Sequence, residues 1–207
     1  MVNSRKKLSR KTSAKKKTST LLLRQGIKSE FTDHLHLLGF KRERVNDTSG
    51  LSYFFRRILS ARHDLVEVTF DQYHKPQFVI EFGEVPVEGI IDSYGRGVPV
   101  NEVRCYQLVE NGRLYRSCFL SIGKWFGISS IEGAMFDLEV LANKEIQRSI
   151  RLYQQVEDWF QKGIVGRNLI VSKNIHNEAG VAKRAMIAKG IWPPDGWTEN
   201  DERRLKM

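Results

Sequence analysis

Two stretches decide the fold: LVEVTF at residues 65–70, and QFVIEFG at residues 77–83 after a short connection. In both, apolar and polar side chains alternate, with a period of two that is typical of β-strands. The apolar side chains on one face are Val66, Val68 and Phe70 in the first stretch and Phe78, Ile80 and Phe82 in the second. One apolar face and a short connection favour an antiparallel hairpin in a sheet that is covered on one side.

Further strands are predicted on both sides of this hairpin. The aromatic-rich LSYFFRRIL at residues 51–59 precedes it. After a glycine-rich and proline-containing loop at residues 83–103, the segments RCYQLV at 104–109 and LYRSCFLSI at 114–122 read as a second hairpin. Asn111-Gly112 lies between these segments, and Asn-Gly is the strongest short hairpin signal. The sheet is therefore expected to have about five strands.

Two long helices are predicted to cover the sheet. The first follows an apolar stripe with spacings of three and four residues and stops at Gly39. The second runs from about Ile131 to Gln161, with Ser130 as N-cap, Gly163 as its end and Glu145 as the only polar member of its stripe. The first stripe consists of Leu23, Ile27, Phe31, Leu35 and Leu38.

These elements predict an α+β fold in which an antiparallel sheet of about five strands packs against two long helices. Residues 1–20 are expected to form a disordered basic leader, because they contain too few apolar side chains to offset the entropy of ordering. Residues 21–165 are expected to form the α+β domain. Residues 166–207 are expected to form a C-terminal extension with a short helix and a Pro-Pro-Asp-Gly turn.

The positive charge of the chain is concentrated in the leader. The formal net charge is +10, yet residues 1–24 contain nine basic residues and no acidic one, which leaves 25 basic and 24 acidic residues in 25–207. Such a leader can contact nucleic acid or another polyanion through phosphates with little sequence preference. The candidate contacts are Arg5, Lys6, Lys7, Arg10, Lys11, Lys15, Lys16 and Lys17.

Composition argues against several classes of protein. The chain has no apolar run of the ~18 to 20 residues that a membrane span requires, and Leu21-Leu22-Leu23 is too short for a signal peptide. Cys105 and Cys118 lack the density of a disulfide scaffold and the paired spacing of a zinc site. We therefore expect a cytoplasmic protein without membrane partner, cofactor or metal.

Few residues suggest chemistry. His63, Asp71 and His74 bracket the LVEVTF strand and would form a metal or acid–base site if hairpin pairing brought them together. The loop at residues 83–103 is a second place for an enzyme site. Aromatic side chains in predicted loops are common anchors for protein partners. The candidates are Trp125, Phe126, Trp192 and Trp197.

The segment from Phe31 to Pro86 resembles a bacterial family known as domain of unknown function number 4304. The features that carry the resemblance are a helix running into LLGFKRE, the strand SYFFRR, and DLVEVTFDQYHKPQFVIEFGEVP. The resemblance extends over about residues 25–165 and implies an α+β fold and a bacterial or phage origin. It implies no activity. The basic leader, the glycine-rich loop and the C-terminal extension depart from the family pattern.

The leading prediction is a non-enzymatic protein that binds another protein in a regulatory or immunity-like role, by analogy of fold class only. One alternative is a nucleic-acid-associated protein that uses the leader for non-specific phosphate contacts. The other is an enzyme with a site near His63, Asp71 and His74.

Overall fold

The computed structural model describes residues 19–44, 51–73, 75–91, 96–119 and 122–173, together with residues 186, 187, 189, 190 and 198. Helix α1 comprises residues 19–37 and contains a π-helical turn at Ile27–Phe31. The other helices are the short α2 (Glu132–Met135) and the long α3 (Leu138–Lys162), and a 3-10 turn lies at Cys105–Gln107. The strands are β1 (Lys41–Glu43), β2 (Ser52–Ile58), β3 (Arg62–Phe70), β4 (Gln77–Pro86), β5 (Ile90–Ile91), β6 (Gly97–Val98), β7 (Glu110–Leu114), β8 (Ser117–Phe119), β9 (Ile122–Lys124), β10 (Phe126–Gly127) and β11 (Leu169–Lys173).

The main sheet is antiparallel, which confirms the α+β class. Its strands lie in the order β1-β2-β3-β4-β7-β11, and β10 pairs with β4 beyond the end of β7. Two separate hairpins, β5–β6 and β8–β9, extend from it. The predicted pairing of LVEVTF with QFVIEFG is the longest ladder, and Val66 lies opposite Phe82 in its register.

Helices α1 and α3 cover one face of the sheet and bury its apolar side chains. Phe78 stacks on Phe126 with ring centroids 5.3 Å apart, and Phe82 meets the ring of Trp159 at 5.0 Å. The helices contribute the fully or almost fully buried Leu23, Ile27, Phe31 and Leu35 from α1 and Ile146, Tyr153, Val156 and Phe160 from α3. The stripe that predicted the first helix is thus the face that packs on the sheet.

Helices α1 and α3 run in the same direction. A Cβ atom at Gly26 would lie 2.6 Å from Cγ1 of Ile146, and further along both helices the rings of Phe31 and Tyr153 are 5.8 Å apart. Because residues later in α1 contact residues later in α3, the first turns of both helices lie at the same end of the domain.

The opposite face of the sheet is partly covered, whereas alternation predicted a sheet covered on one side. Leu65 and Val85 from the sheet are buried under Val103, Cys105 and Leu108. These residues belong to the segment that joins β6 to β7. The covering layer also buries Glu67, and the consequence is described with the candidate sites below.

A buried group of charges joins the sheet to α3. Arg57 donates to Oδ2 of Asp64 at 2.7 Å and to Oε2 of Glu157 at 2.8 Å, and also to the carbonyl of Leu38. Its guanidinium lies 4.5 Å from the ring centroid of Phe40. Both carboxylates are almost completely buried. Arg57 therefore contacts β3, α3 and the end of α1 at once.

The structure also differs from other sequence predictions. The main sheet has seven strands where about five were expected, and the segment 104–109, predicted as a strand, contains the 3-10 turn at Cys105–Gln107 and no strand. Asn111-Gly112 lies inside strand β7 and forms no turn; the reason is packing, because a Cβ at Gly112 would collide with the ring of Phe82. The predicted helix from 131 is two helices, since Asp137 leaves the helical conformation and caps α3. Strand β11 lies in the segment assigned to the C-terminal extension and joins the sheet beside β7. The end of α3 at the left-handed Gly163 is confirmed.

Replacement of Gly112 by alanine is expected to destabilise the fold by roughly 1 to 3 kcal/mol, the usual effect of overpacking a core. The added methyl group would have to displace the ring of Phe82. Gly97→Ala is the matched control, because nothing lies within 4 Å of a Cβ at that position. Urea unfolding followed by circular dichroism measures both; equal stability of the two variants would contradict this packing.

Arg57→Met is expected to remove on the order of 3 kcal/mol or more, because the buried Glu157 loses its arginine and the buried Asp64 keeps only Arg62. The matched control is Arg113→Met. Arg113 also pairs with a carboxylate, Glu81, but its side chain is 51% exposed, against 14% for Arg57. We expect the control to change stability by less than about 1 kcal/mol. Equal losses in guanidinium unfolding would show that the buried group contributes no more than a surface pair.

Candidate partner-binding surface

Large apolar side chains are exposed where α2 leads into α3. Ile131, Met135, Phe136 and Val140 are between 61 and 72% exposed, and we call these four residues the apolar patch. Ile131 and Met135 are one helical turn apart, whereas Phe136, whose backbone is extended, and Val140 lie on either side of the Asp137 cap. Single exposed apolar residues are common, whereas a group of them indicates an interaction surface.

Two helix caps fix the backbone that carries the apolar patch. The amide of Ser129 donates to Glu132 at 2.9 Å, and the amide of Glu132 donates to Oγ of Ser129 at 3.1 Å. These bonds hold the pKa of Glu132 below its usual value. Asp137 accepts from the amides of Glu139 and Val140 at the start of α3. Reciprocal caps of this kind stabilise the first turn of a helix.

A charge network ties the β8–β9 hairpin to the same corner. Arg116, at the base of the hairpin, lies 3.8 Å from Glu132 on α2 and 3.5 Å from Glu145 on α3. Glu145 is buried; it also pairs with Arg148 at 2.7 Å and accepts from the amide of Gly127. The single polar member of the predicted helix stripe is thus an anchor for two neighbouring elements.

The β8–β9 hairpin presents two more apolar side chains. Phe119 and Ile122 are opposite each other in its register, and each is more than three-quarters exposed. The base of the hairpin is paired with α2 through Arg116, and these two side chains are at its other end.

The leader joins the domain at the same end as the apolar patch. Helix α1 starts at residue 19, and it runs parallel to α3, whose first turn carries Val140. The basic residues predicted to contact polyanions, Arg5 to Lys17, lie outside the described residues.

The aromatic residues predicted as partner anchors have different positions. Phe126 is fully buried in the core against Phe78, so its side chain is not available to a partner. Trp125 is half-buried and directly follows strand β9. Trp192 and Trp197 lie outside the described residues. Sequence reasoning missed the apolar patch, although the run IEGAMFDLEV places four large apolar residues outside the helical stripe that packs on the sheet.

The structure places two of the predicted acid–base residues far apart. His63 is the second residue of β3 and Asp71 directly follows its last residue. At about 3.3 Å per residue, their backbones are roughly 26 Å apart, so they cannot share a metal ion or a proton-transfer step. His74 lies outside the described residues. Among the described residues, no group of three or more His, Cys, Asp or Glu side chains is arranged to hold a metal ion.

A second polar site lies on the face opposite the helices. A groove of about 350 Å³ is lined by residues that include Glu81, Arg113, Cys105 and Tyr115. Arg113 pairs with Glu81 at 2.6 Å. Glu81 is directly opposite the buried Glu67 in the β3–β4 register. The sequence held a signal for this pair. Each of the two alternating strands carries one glutamate on the face opposite its apolar side chains.

Burial raises the pKa of Glu67 to about 7, and the nearby carboxylate of Glu81 adds to this shift. Burial also raises the pKa of the Cys105 thiol, which keeps it protonated and unreactive. The groove thus holds one carboxylate, Glu81, which is paired with Arg113, and the buried Glu67 lies opposite Glu81 on the neighbouring strand. No described residue in it is an activated nucleophile of the thiol type.

Comparison of the chain with protein-family models, curated proteins and solved structures finds no match. The resemblance to domain of unknown function number 4304 therefore stays a prediction, and a function has to be argued from the geometry. In the part of the chain that the structure describes, no helix is both long enough and apolar enough to cross a bilayer.

Glu67→Gln tests the shifted carboxyl. In the unfolded chain Glu67 ionises near pH 4.5, whereas in the fold it holds its proton to about pH 7. The contribution of this group to the free energy of unfolding of the wild type therefore decreases as the pH rises from 4.5 to about 7, and it is constant above that range. The stability of Glu67→Gln relative to wild type should rise from pH 5 to pH 8, by at most about 3 kcal/mol.

Denaturant unfolding at several pH values measures this difference, in which the other titrating groups cancel. Glu88→Gln, on an exposed turn, controls for the loss of one negative charge. A difference between Glu67→Gln and wild type that does not vary with pH would show that Glu67 is ionised in the fold.

Proposed function

We propose that this chain is a non-enzymatic binding protein whose apolar patch docks onto a protein partner. The observation that carries the proposal is the exposure of four large apolar side chains on one capped and ion-paired corner. A regulatory or immunity-like role for the resulting complex is part of the same proposal and rests on fold class alone.

Apolar exposure of this kind is better explained by a protein partner than by a polyanion. Burial of apolar surface contributes roughly 25 cal/mol per Å², whereas phosphates gain nothing from contact with Ile131, Met135 or Val140. Interfaces between proteins are also enriched in methionine and aromatic side chains at their centres. Met135 and Phe136 fit that composition.

Rigidity of the corner supports a binding role. The caps at Ser129 and Asp137, and the pairs that Arg116 forms with Glu132 and Glu145, hold the backbone in place before any partner arrives. A preorganised surface loses less conformational entropy on binding, so more of the contact energy is available as affinity.

The positive charge of the leader indicates that the proposed partner is negatively charged. It is attached at the end of the domain that carries the apolar patch. Eight positive charges in residues 1–20, without an acidic residue, attract a surface whose rim is acidic and accelerate its encounter, chiefly at low salt. We therefore expect a partner with an apolar centre and an acidic rim.

The double variant Phe136→Gln with Val140→Gln is expected to weaken partner binding at least about tenfold, because two contacts at an interface centre are lost. The matched control is Leu37→Gln with Ile164→Gln. Leu37 and Ile164 are also exposed apolar residues, and they lie at the opposite end of the domain, at the last residue of α1 and just beyond α3. Crosslinking in cells supplies a partner, which is then purified and titrated calorimetrically with each protein.

The same titrations separate the competing explanations. Equal affinity of the patch variant and the control variant would overturn the proposal. Deletion of residues 1–18 should slow association at low salt and leave most of the affinity. Loss of all binding on that deletion, or binding to RNA, DNA or anionic vesicles that does not need Phe136 and Val140, would favour a polyanion partner. Concentration-dependent dimerisation that the patch variant abolishes would show that the occupant is a second copy.

A further inference from the structure

A cavity of about 580 Å³ lies at the end of the main sheet where β4 leads into β5. Its walls are mostly apolar. Ile90 and Ile91 close one side, Leu108 comes from the layer over the second face of the sheet, and Trp159 comes from α3. This volume is within the range of ~300 to 1,000 Å³ that is usual for small-molecule sites. The cavity includes residues of the 83–103 loop in which the sequence suggested a site.

The cavity is lined by Glu84 and Glu110, which continue a row of carboxylates that begins at the buried Asp64. Asp64 is opposite Glu84 in the β3–β4 register. Glu110 is opposite Glu84 one position beyond the paired Gly83 and Asn111. Arg62 bridges the first two, with 2.9 Å to Asp64 and 3.0 Å to Glu84. Three negative side chains therefore follow one another along the sheet end.

The positive charges near this row do not balance it. Asp64 is shared between Arg57 and Arg62, and Arg57 also neutralises Glu157. Glu110 has no ion pair with a described residue, although the exposed Lys173 is opposite it on β11. The two arginines thus pair with Asp64, Glu84 and Glu157, whereas Glu110, at the wall of the cavity, forms no ion pair with a described residue.

We propose that this cavity binds a small amphipathic ammonium ligand. The apolar body packs among Ile90, Leu108 and Trp159, and the ammonium group lies between Glu84 and Glu110. An ammonium there relieves the repulsion between the two carboxylates, which also contributes, after burial, to the raised pKa of Glu84. An anionic head group would add a further negative charge to the row and is disfavoured.

The site is separate from the proposed partner-binding surface. Trp159 is near the last turn of α3, whereas Val140 of the apolar patch is in its first turn. About 19 residues of helix at 1.5 Å per residue place the two nearly 30 Å apart. Ligand binding and partner binding can therefore be tested and fail independently.

The experiment compares three probes that share one apolar body: hexylamine, hexanol and hexanoate. Backbone-amide NMR spectra of the full chain are followed at Ile90, Ile91 and Val109, which line the cavity. We expect hexylamine to bind roughly fivefold more tightly than hexanol, the upper end for one solvent-accessible ion pair. Hexanoate should bind most weakly. Equal binding of the amine and the carboxylate, or no shift at these amides with any probe, would overturn the proposal.

Two variants connect the preference to the residues. Glu110→Gln should lower hexylamine binding to the level of hexanol, while the control Glu102→Gln, at another exposed glutamate, should not. Ile91→Arg, which places a bulky cation in the cavity wall, should abolish binding of all three probes. Because Glu110 is exposed, its substitution leaves the fold intact, and unchanged hexylamine binding in Glu110→Gln would refute the proposed ammonium position.

Discussion

The arrangement of this domain depends on one guanidinium group. Arg57 lies on strand β2. It pairs with Asp64 on the neighbouring strand and with Glu157 on α3, and it donates to the carbonyl of Leu38, which directly follows α1. Its flat face packs on Phe40, and Phe160 lies 5.4 Å away. Three elements can meet at this point only because one side chain offers several donors in a fixed plane. The direction of α3 follows from this contact, and with it the positions of Trp159 at one end and Val140 at the other.

Much of the fold could be predicted from alternation and helical spacing. The β3–β4 ladder and the buried stripe of α1 were readable because each depends on side chains close together in sequence. The position of Gly112 within a strand could not be predicted. Asn-Gly favours a turn by its local chemistry, whereas here the glycine is required by the ring of Phe82, 30 residues away. Strand β11 was missed because its five residues carry little signal without the edge of β7 on which they pair. At both places, packing with residues distant in sequence determined the structure, and local sequence preference did not.

The candidate surfaces were less predictable than the fold. Loop tryptophans and phenylalanines were the expected anchors, but Phe126 is in the core because β10 adds it to the edge of β4. The exposed group at Ile131 to Val140 could have been inferred only by knowing which residues of α3 face the sheet. The pairing of Glu67 with Glu81 needed the register of two strands. In each case the missing information was which side of an element meets its neighbour.

The π-helical turn in α1 determines which side chains in the first half of that helix face the sheet. At Ile27–Phe31 the helix holds one residue more per turn than an α-helix, and the hydroxyl of Thr32 donates to the carbonyl of Ile27 across it. Removal of that extra residue would restore a regular helix and rotate everything before it by about 100°. Leu23, which is fully buried, would then turn away from the sheet. One residue within α1 thus decides which side chains before it reach the core.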